Sequence, residues 1–310
     1  MSNAKSSNDN VCILLPTLNE ENTIKNVIND FKSEGFYNIL VIDGNSKDKT
    51  QEVAKASGAK VIIQSGKGKG QAVIEAFDFI EDDFIVMADG DGTYQACDIH
   101  AMLKPIFKNG ADHVIGNRFK NYEKGAFTRL NLFGNNMINR IFRFVYGEPL
   151  HDILSGYRAF TKNTIKSLHL KELGFEIESE IAIECIKNNL KTSEVPITYL
   201  SRHPDDPTKL NPLRDGFKIG IAIYELAKTH NPLFYFGIIG SIFIIMGTGF
   251  GVFVVYEWLH GVTRVLLTIL SSLFILFGFQ MFMVGLIGEM NASFNRDLVK
   301  RIQFIIKNQK

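Results

Sequence analysis

The sequence predicts an α/β domain with a parallel sheet, followed by a hairpin of two helices long enough to cross a membrane. Two observations lead to this fold class. Over roughly the first 230 residues, short apolar runs alternate with amphipathic helical patterns. Two long runs without a charged residue follow, at 233–256 and 265–287. With 310 residues, 45% apolar and 22% charged, the chain is long enough for both parts and too apolar to be disordered.

The apolar runs predict four strands and the patterns between them predict three helices. The strands are expected at 11–15, 39–42, 60–63 and 84–88, and the helices at 21–34, 49–57 and 70–79. Strand–helix–strand repetition favours a parallel, doubly wound sheet. In such sheets ligands bind beyond the carboxyl ends of the strands, so we expect functional residues in the turns that follow each strand.

The two uncharged runs predict membrane spans within residues 232–290. Each run is about 23 residues long, or roughly 35 Å of helix, and a hydrocarbon core is about 30 Å thick. Lys and Arg are frequent on both flanks, whereas the link at 257–264 carries only Arg264. By the positive-inside rule, the preceding domain and both termini are then cytoplasmic, at the cell membrane. Around the spans we expect a disordered segment at 1–10, an amphipathic juxtamembrane helix at 213–231 and a basic amphipathic C-terminal helix at 291–310.

Charge and cysteine content exclude several classes of protein. The formal net charge is +1, so no strong global field attracts nucleic acid, and we expect no nucleic-acid partner. The three cysteines, Cys12, Cys97 and Cys185, are odd in number and widely separated. They fit neither a disulfide framework nor a C-x-x-C zinc site, and they indicate a reducing compartment.

A polar turn of small residues follows each predicted strand, which indicates a binding cleft. The turns read PTLNEE, DGNSKD, SGKGKG and DGDG. The last contains Asp89-Gly90-Asp91, whose two carboxylates can share Mg²⁺ or Mn²⁺ and a diphosphate. A bare D-x-D is most often a solvated acidic turn, but its place after an apolar strand, beside three similar turns, favours the metal. The Lys-Gly turn lacks the spacing of a phosphate loop, and either contacts a nucleotide or faces solvent.

Together these turns resemble those of family 2 glycosyltransferases with a GT-A fold. PTLNEE, VIDGNSKDKT, GKGQA and MADGDGTY stand in the order of that family, and IGNRF, DILSGYRAF and EVPITYLSR continue the match. The set is similar to polyprenyl-phosphate glycosyltransferases, a group that includes dolichol-phosphate mannose synthase. It is most similar to the archaeal dolichyl-phosphate hexosyltransferases of N-glycan assembly. The resemblance implies a catalytic domain at 11–212.

The resemblance also implies roles for individual residues. Catalytic roles fall on Asp91, Arg118, Asp152 and Arg202. The nucleotide sugar would be bound by Pro16, Leu18, Glu20, Asp43, Lys69, Asp89, Gly90, Asp91, Arg202 and Lys209, where Lys209 stands seven residues after Arg202 instead of the family's six. The metal ligands would be Asp91, Asp89 and Thr93, with Thr93 standing where the mannose synthases have Gln. The acceptor phosphate would be bound by Arg118, Arg129, Ser155 and Arg158.

The acceptor implied by the resemblance is a lipid monophosphate, whose second pKa near 6 leaves it largely anionic at pH 7. No strong general base is then required, and a single inverting displacement is expected. Asp152 could be a base, could orient an arginine or could cap the turn at Ser155. A solvated helix face is favoured for most of Glu176, Glu178, Glu180 and Glu184. Residues 131–146 alternate large apolar side chains with Arg140 and Arg143, which favours a helix at the membrane surface over one packed only on the sheet.

Several alternatives remain open at the level of sequence. UDP-glucose or UDP-N-acetylglucosamine is the favoured donor and GDP-mannose the alternative. A processive polysaccharide synthase is disfavoured because the Q-x-x-R-W motif is absent. A non-catalytic membrane scaffold with a degenerate transferase domain is disfavoured by the intact pair Asp89 and Asp91. Glycine-rich spans permit an oligomer without demonstrating one.

Overall fold

The computed structural model describes residues 7–202, positions 217, 220, 221, 224 and 228, and residues 231–308. The chain divides into two compact units, Met1–Ala222 and Ile223–Lys310. The first unit contains a seven-stranded sheet with helices, and the second contains two long helices. Lys209 and most of the juxtamembrane helix expected at 213–231 lie outside the described residues.

The sheet of the first unit is mixed. Its strands are β1 Val11–Thr17, β2 Ile39–Asp43, β3 Lys60–Ile63, β4 Phe84–Met87, β5 His113–Tyr122, β6 Arg158–Thr161 and β7 Thr192–Tyr199. They lie in the order β3-β2-β1-β4-β6-β5-β7. The four predicted strands are confirmed and pair in parallel, as β5 and β7 do, but β6 runs antiparallel to β4 and β5. The four predicted strands are parallel as expected, and β6 makes the complete sheet mixed because the chain enters β6 from the edge where β4 and β5 end.

Seven helices are described in this unit. They are α1 Ile24–Ser33, α2 Thr50–Ala56, α3 Lys69–Phe79, α4 Ile99–Asn109, α5 Arg129–Tyr146, α6 Lys162–Ser167 and α7 Ile177–Lys187. The three helices predicted from spacing correspond to α1, α2 and α3. Within the N-terminal segment expected to be disordered, Ser7–Asn10 form a 3-10 turn, and residues 1–6 lie outside the described part of the chain.

The core lies on both faces of the sheet, because strand side chains alternate between faces. In β1, Ile13 and Leu15 pack with Ile24 of α1 and Met102 of α4. Leu14, between them, packs on the opposite face with residues of α3 and α7. The continuous apolar run of this strand is thus explained by burial on two sides.

The second unit is a hairpin of α8 Pro232–Leu259 and α9 Val265–Asn308. The two apolar stretches, at 232–259 and 265–294, have mean hydropathies of 2.3 and 2.2 and are long enough to cross a membrane. Glycines allow close contact between the helices: a Cβ on Gly240 would lie 2.7 Å from the carbonyl oxygen of Gly278. The second span and the basic segment expected as a separate helix at 291–310 are one continuous helix as far as Asn308, since no glycine or proline interrupts residues 289–308.

Candidate active site

Hydrogen bonds join the turns that follow β1, β2 and β4 at one edge of the sheet. The backbone N–H of Gly44 donates to the carbonyl of Thr17 at 2.8 Å. The hydroxyl of Thr23, just before α1, donates to the carbonyl of Gly90 at 2.8 Å. The parallel arrangement of these strands brings their carboxyl ends together, as the sequence predicts. The candidate site is therefore built on strand ends and turns that are hydrogen-bonded to one another.

The residues implied in nucleoside binding lie in these turns. Pro16 is buried within β1, and Glu20 is buried in the turn after it, whereas the side chain of Leu18 is 40% exposed. Asp43 is fully buried at the end of β2. Its carboxylate accepts four hydrogen bonds, from the hydroxyl of Thr17, from the N–H and hydroxyl of Ser46 and from the amide of Gln51. The Asp43 carboxylate is thereby fixed in position.

The acidic pair after β4 is in contact with two cations. Asp91 is buried and forms an ion pair with Arg202, and its Oδ1 accepts hydrogen bonds from the N–H and the hydroxyl of Thr93 at 3.0 and 2.6 Å. Burial favours a higher pKa for Asp91, but the charge of Arg202 and the bonds from Thr93 outweigh it and lower the pKa. The carboxylate is therefore ionised. The Thr93 hydroxyl donates to Asp91 and helps to hold that carboxylate in place, and its expected role as a third metal ligand stays a prediction.

The space between Asp89 and Asp91 admits only glycine at position 90. A Cβ at this position would lie 2.5 Å from Cγ2 of Thr17, closer than real Cβ atoms approach. The role of Gly90 is thus to let the acidic turn lie against the end of β1.

Asp89 pairs with Lys69, the first residue of α3. Nζ of Lys69 lies 2.5 Å from Oδ1 of Asp89 and 2.6 Å from Oε1 of Glu178. Burial would lower the pKa of Lys69, but the two carboxylates outweigh it and raise the pKa, so the ammonium is charged. The Lys-Gly turn therefore places a cation, Lys69, between the carboxylates of Asp89 and Glu178, in what we call the acidic cleft.

Glu178 was missed as a site residue, because its helix was expected to present a solvated acidic face. That expectation is wrong for the four glutamates of this segment, which are all buried: Glu176, Glu178, Glu180 and Glu184. The apolar residues of α7 occur all around the helix, which is the pattern of a buried helix and could have signalled this.

Arg118, on β5, is held by Asp152. Oδ2 of Asp152 accepts from the N–H and Nε of Arg118, each at 2.9 Å, and Oδ1 accepts from Nη2 at 2.8 Å. The guanidinium carbon lies 5.3 Å from the ring centre of Tyr199 and 5.6 Å from that of Phe127. Asp152 is fully buried, and both its oxygens are used by Arg118. Of the three roles open to Asp152, the geometry favours orienting the arginine.

The other residues expected at the acceptor phosphate lie in different surroundings. Arg158 is fully buried and donates to the carbonyls of Ser155 and Ile153, at 2.9 and 2.6 Å, and to Nε2 of His113 at 3.2 Å. These hydrogen bonds stabilise the turn before β6, in which Ser155 is also buried. Neither is placed to bind a phosphate. Arg129, in contrast, is exposed at the first turn of α5.

The carboxylates of Asp89 and Asp91 suit a metal ion that binds together with a diphosphate. Asp89 and Asp91 offer hard carboxylate oxygens, which suit Mg²⁺ or Mn²⁺. No group of three or more His, Cys, Asp or Glu side chains that could hold a metal occurs among the described residues. Two carboxylates are too few for a structural site, whereas a cation bound by a diphosphate brings most of its own oxygens.

Comparisons with known proteins agree with this fold. Residues 12–168 match the family described as Glycosyl transferase family 2. Glycosyltransferase AglJ of Haloferax volcanii is 48% identical over 297 residues, which cover 95% of this chain and 98% of the relative. The UDP-N-acetylglucosamine–dolichyl-phosphate N-acetylglucosaminyltransferase of Methanococcus voltae is 31% identical over 60% of this chain and 84% of its own length.

Among solved structures, glucosyl-3-phosphoglycerate synthase from Mycobacterium tuberculosis, in complex with Mn²⁺ and UDP-glucose, superposes with a TM-score of 0.57 at 23% identity. The superposition covers 69% of this chain and 77% of that one. The likeness is one of fold, and the mixed sheet described above is that of the GT-A architecture. On the family match and the relative of nearly equal length, the chain belongs to glycosyl transferase family 2.

Proposed function

We propose that this protein transfers a hexose from a nucleotide sugar to dolichyl or another polyprenyl phosphate, supplying a lipid-linked sugar for protein N-glycosylation. The observation that carries the proposal is the placement of two ionic sites at one sheet edge. An acidic pair, Asp89 and Asp91, suits a metal-bound diphosphate, and a rigid arginine, Arg118, suits the acceptor phosphate. The Methanococcus voltae relative is named for a UDP-sugar donor and for dolichyl phosphate. UDP-glucose or UDP-N-acetylglucosamine is therefore the favoured donor, with GDP-mannose as the alternative.

On the donor side, the turns after β1 and β2 would hold the base and ribose, and Asp89 and Asp91 would hold Mg²⁺ or Mn²⁺. When bound, the metal neutralises charge on the diphosphate. Among the described residues, Lys69 forms an ion pair with Asp89 and Arg202 forms one with Asp91. They would stabilise the negative charge that develops as the nucleoside diphosphate leaves. Lys209 is proposed as a further contact by the resemblance alone.

On the acceptor side, Arg118 would bind the lipid phosphate and Arg129 would add a second positive charge. Asp152 occupies Nε and Nη2 of Arg118, and no hydrogen bond of Nη1 is found among the described residues. One edge of the guanidinium is thus fixed and the other can bind an anion. A phosphate oxygen, already ionised, attacks the anomeric carbon while the bond to the diphosphate breaks, so the carbon is inverted and no base is needed. The burial of Asp152 agrees with a mechanism that uses no carboxylate base.

A membrane-bound acceptor also requires the protein to lie at a lipid surface. The inner face of α5 packs in the domain through Ile138, Phe142 and Val145. Its outer face carries an exposed apolar stripe at helical spacing, formed by Leu130, Phe133, Met137, Ile141 and Phe144. Such a stripe, beside basic residues, is typical of an interfacial helix. We propose a location at the cell membrane with two spans, and with the catalytic domain and both termini in the cytoplasm.

The test uses the full chain in detergent with dolichyl phosphate, Mn²⁺ or Mg²⁺ and a panel of labelled nucleotide sugars. We expect label from one donor to become extractable into organic solvent, and to disappear with chelator or in Asp91→Asn. Asp82→Asn, in the turn before β4 and away from the site edge, is the matched control and should keep its activity. If folded protein transfers no sugar from any donor to any polyprenyl phosphate, the scaffold alternative is the better one.

A further inference from the structure

The ion triad of Lys69, Asp89 and Glu178 contains one buried acid that the proposed reaction does not use. Glu178 is only 4% exposed, and its Oε1 lies 2.6 Å from Nζ of Lys69. Asp89 is the more accessible acid, with a side chain that is 26% exposed. One ammonium thus lies between an inner carboxylate and an outer one.

A backbone hydrogen bond holds together the two segments that carry Lys69 and Glu178. The N–H of Gly70 donates to the carbonyl of Leu173 at 3.1 Å, which joins the start of α3 to the segment just before α7. A Cβ on Gly70 would lie 2.1 Å from the carbonyl oxygen of Glu172, so the two segments are in direct contact. Lys69 and Glu178 are near the starts of these two helices. Their ion pair is therefore part of the packing between α3 and α7.

Gly156, in the turn before β6, lies close to both Asp89 and Lys69. A Cβ on Gly156 would lie 2.9 Å from Oδ2 of Asp89 and 3.1 Å from Nζ of Lys69. Lys69 has no room to move towards this turn. Oδ2 of Asp89 lies against Gly156 and Oδ1 pairs with Lys69, so a cation that binds Oδ1 takes the place of the ammonium there.

We propose that Glu178 is a positioning residue that retains Lys69 while Asp89 exchanges the ammonium for the divalent cation of an incoming nucleotide sugar. This inference rests on the proposed metal-dependent function. With Glu178 present, the Lys69 ammonium keeps a carboxylate partner after Asp89 has bound the metal. The ammonium is therefore not left without a counter-charge. Without Glu178, Asp89 is the remaining carboxylate of the triad, and Lys69 competes with the metal for it.

The test measures Mn²⁺ binding to the full chain in detergent by the electron paramagnetic resonance signal of free Mn²⁺, with UDP or GDP present and without turnover. We expect Glu178→Gln to weaken Mn²⁺ binding about fivefold or more, a typical size for coupling between sites. Glu184→Gln is the matched control, because Glu184 is equally buried on the same helix but pairs with Lys187 at 2.7 Å. Adding Lys69→Met to Glu178→Gln removes the competing ammonium and should strengthen Mn²⁺ binding again.

The possible results separate the two proposals. If wild type binds Mn²⁺ and Glu178→Gln binds it as tightly as Glu184→Gln does, the exchange is overturned and the proposed function stands. Weaker binding in Glu178→Gln that Lys69→Met fails to reverse also overturns the exchange, because the effect would not pass through the lysine. If wild type binds no Mn²⁺ with either nucleotide, the proposed metal use is wrong and the exchange with it. Equal melting temperatures of Glu178→Gln and the double variant would exclude unfolding as the cause of any difference.

Discussion

From a fully buried position in the turn that precedes β6, Asp152 holds Arg118 by three hydrogen bonds, one from the backbone N–H and two from the guanidinium. The two residues are 34 positions apart in the chain. The pair converts a flexible arginine on β5 into a fixed cation beside the acidic cleft. This arrangement leads to the first of four predictions.

Asp152→Asn should impair binding of the acceptor without removing an ionisable group from the reaction. The buried arginine loses its counter-charge, which costs about 3–5 kcal/mol when one partner of a buried pair is removed. We expect the KM for dolichyl phosphate to rise about tenfold or more, in line with a loss of at least 1.4 kcal/mol of binding. The acid limb of the pH–rate profile should remain near pH 6, since it belongs to the lipid phosphate. Loss of that limb in Asp152→Asn would instead identify Asp152 as the base.

Gly90→Ala should displace the acidic turn. Its new Cβ would meet Cγ2 of Thr17 at 2.5 Å, and overpacking of this kind costs about 1–3 kcal/mol. We expect transferase activity to fall at least tenfold, and Thr17→Ser, which deletes that methyl group and keeps the hydroxyl, to restore part of it. Gly134→Ala is the control, because a Cβ there meets no atom within 4 Å and Ala favours the helix. A Gly90→Ala enzyme of normal activity would show that the turn is not constrained by this contact.

His113 should make the protein less stable as the pH falls below about 6.5. Burial, followed by the charge of Arg158, lowers the pKa of this histidine well below its usual range, so it is neutral in the folded protein. The unfolded chain then binds one proton more below the ordinary pKa, and the free energy of unfolding falls by up to about 1.4 kcal/mol per pH unit.

His113→Gln keeps an acceptor for Arg158 and cannot titrate, so its melting temperature should fall less between pH 7.5 and 5.5 than that of wild type. His100→Gln, at the surface, should follow the wild-type pH dependence. Equal slopes in His113→Gln and wild type would rule out this histidine as the source of the acid sensitivity.

The exposed stripe of α5 should matter only when the acceptor lies in a bilayer. Phe133 and Phe144 are 67% and 73% exposed, and burying a phenylalanine in an apolar phase is worth about 1.5–3 kcal/mol. We expect Phe133→Asp or Phe144→Asp to lower activity on dolichyl phosphate in liposomes about tenfold and to leave activity on a short, water-soluble isoprenyl phosphate unchanged. Phe79→Asp, an exposed phenylalanine of α3, is the control. An equal loss with both acceptors would place the effect in the domain and not at the lipid surface.

Several functional features could be read without a structure because they are local. The strand β1 and the acidic turn Asp89-Gly90-Asp91 are each formed by consecutive residues. A run of apolar residues predicts a buried strand, and small polar residues predict a turn. The same holds for the two spans, whose length and lack of charge are sufficient to indicate them. The order of these motifs along the chain also indicated the family.

What the sequence determined by itself is therefore the fold class, the cleft edge and the residues that could act there. The tertiary structure decided which of those residues meet. Asp91 and Arg202 form an ion pair across 111 positions, and Glu178 reaches Lys69 only because α7 packs beside the start of α3. Arg158 was expected at a phosphate but is buried against backbone carbonyls, since β6 returns antiparallel into the sheet. Such contacts depend on strand order and helix packing, which no pattern of neighbouring residues records.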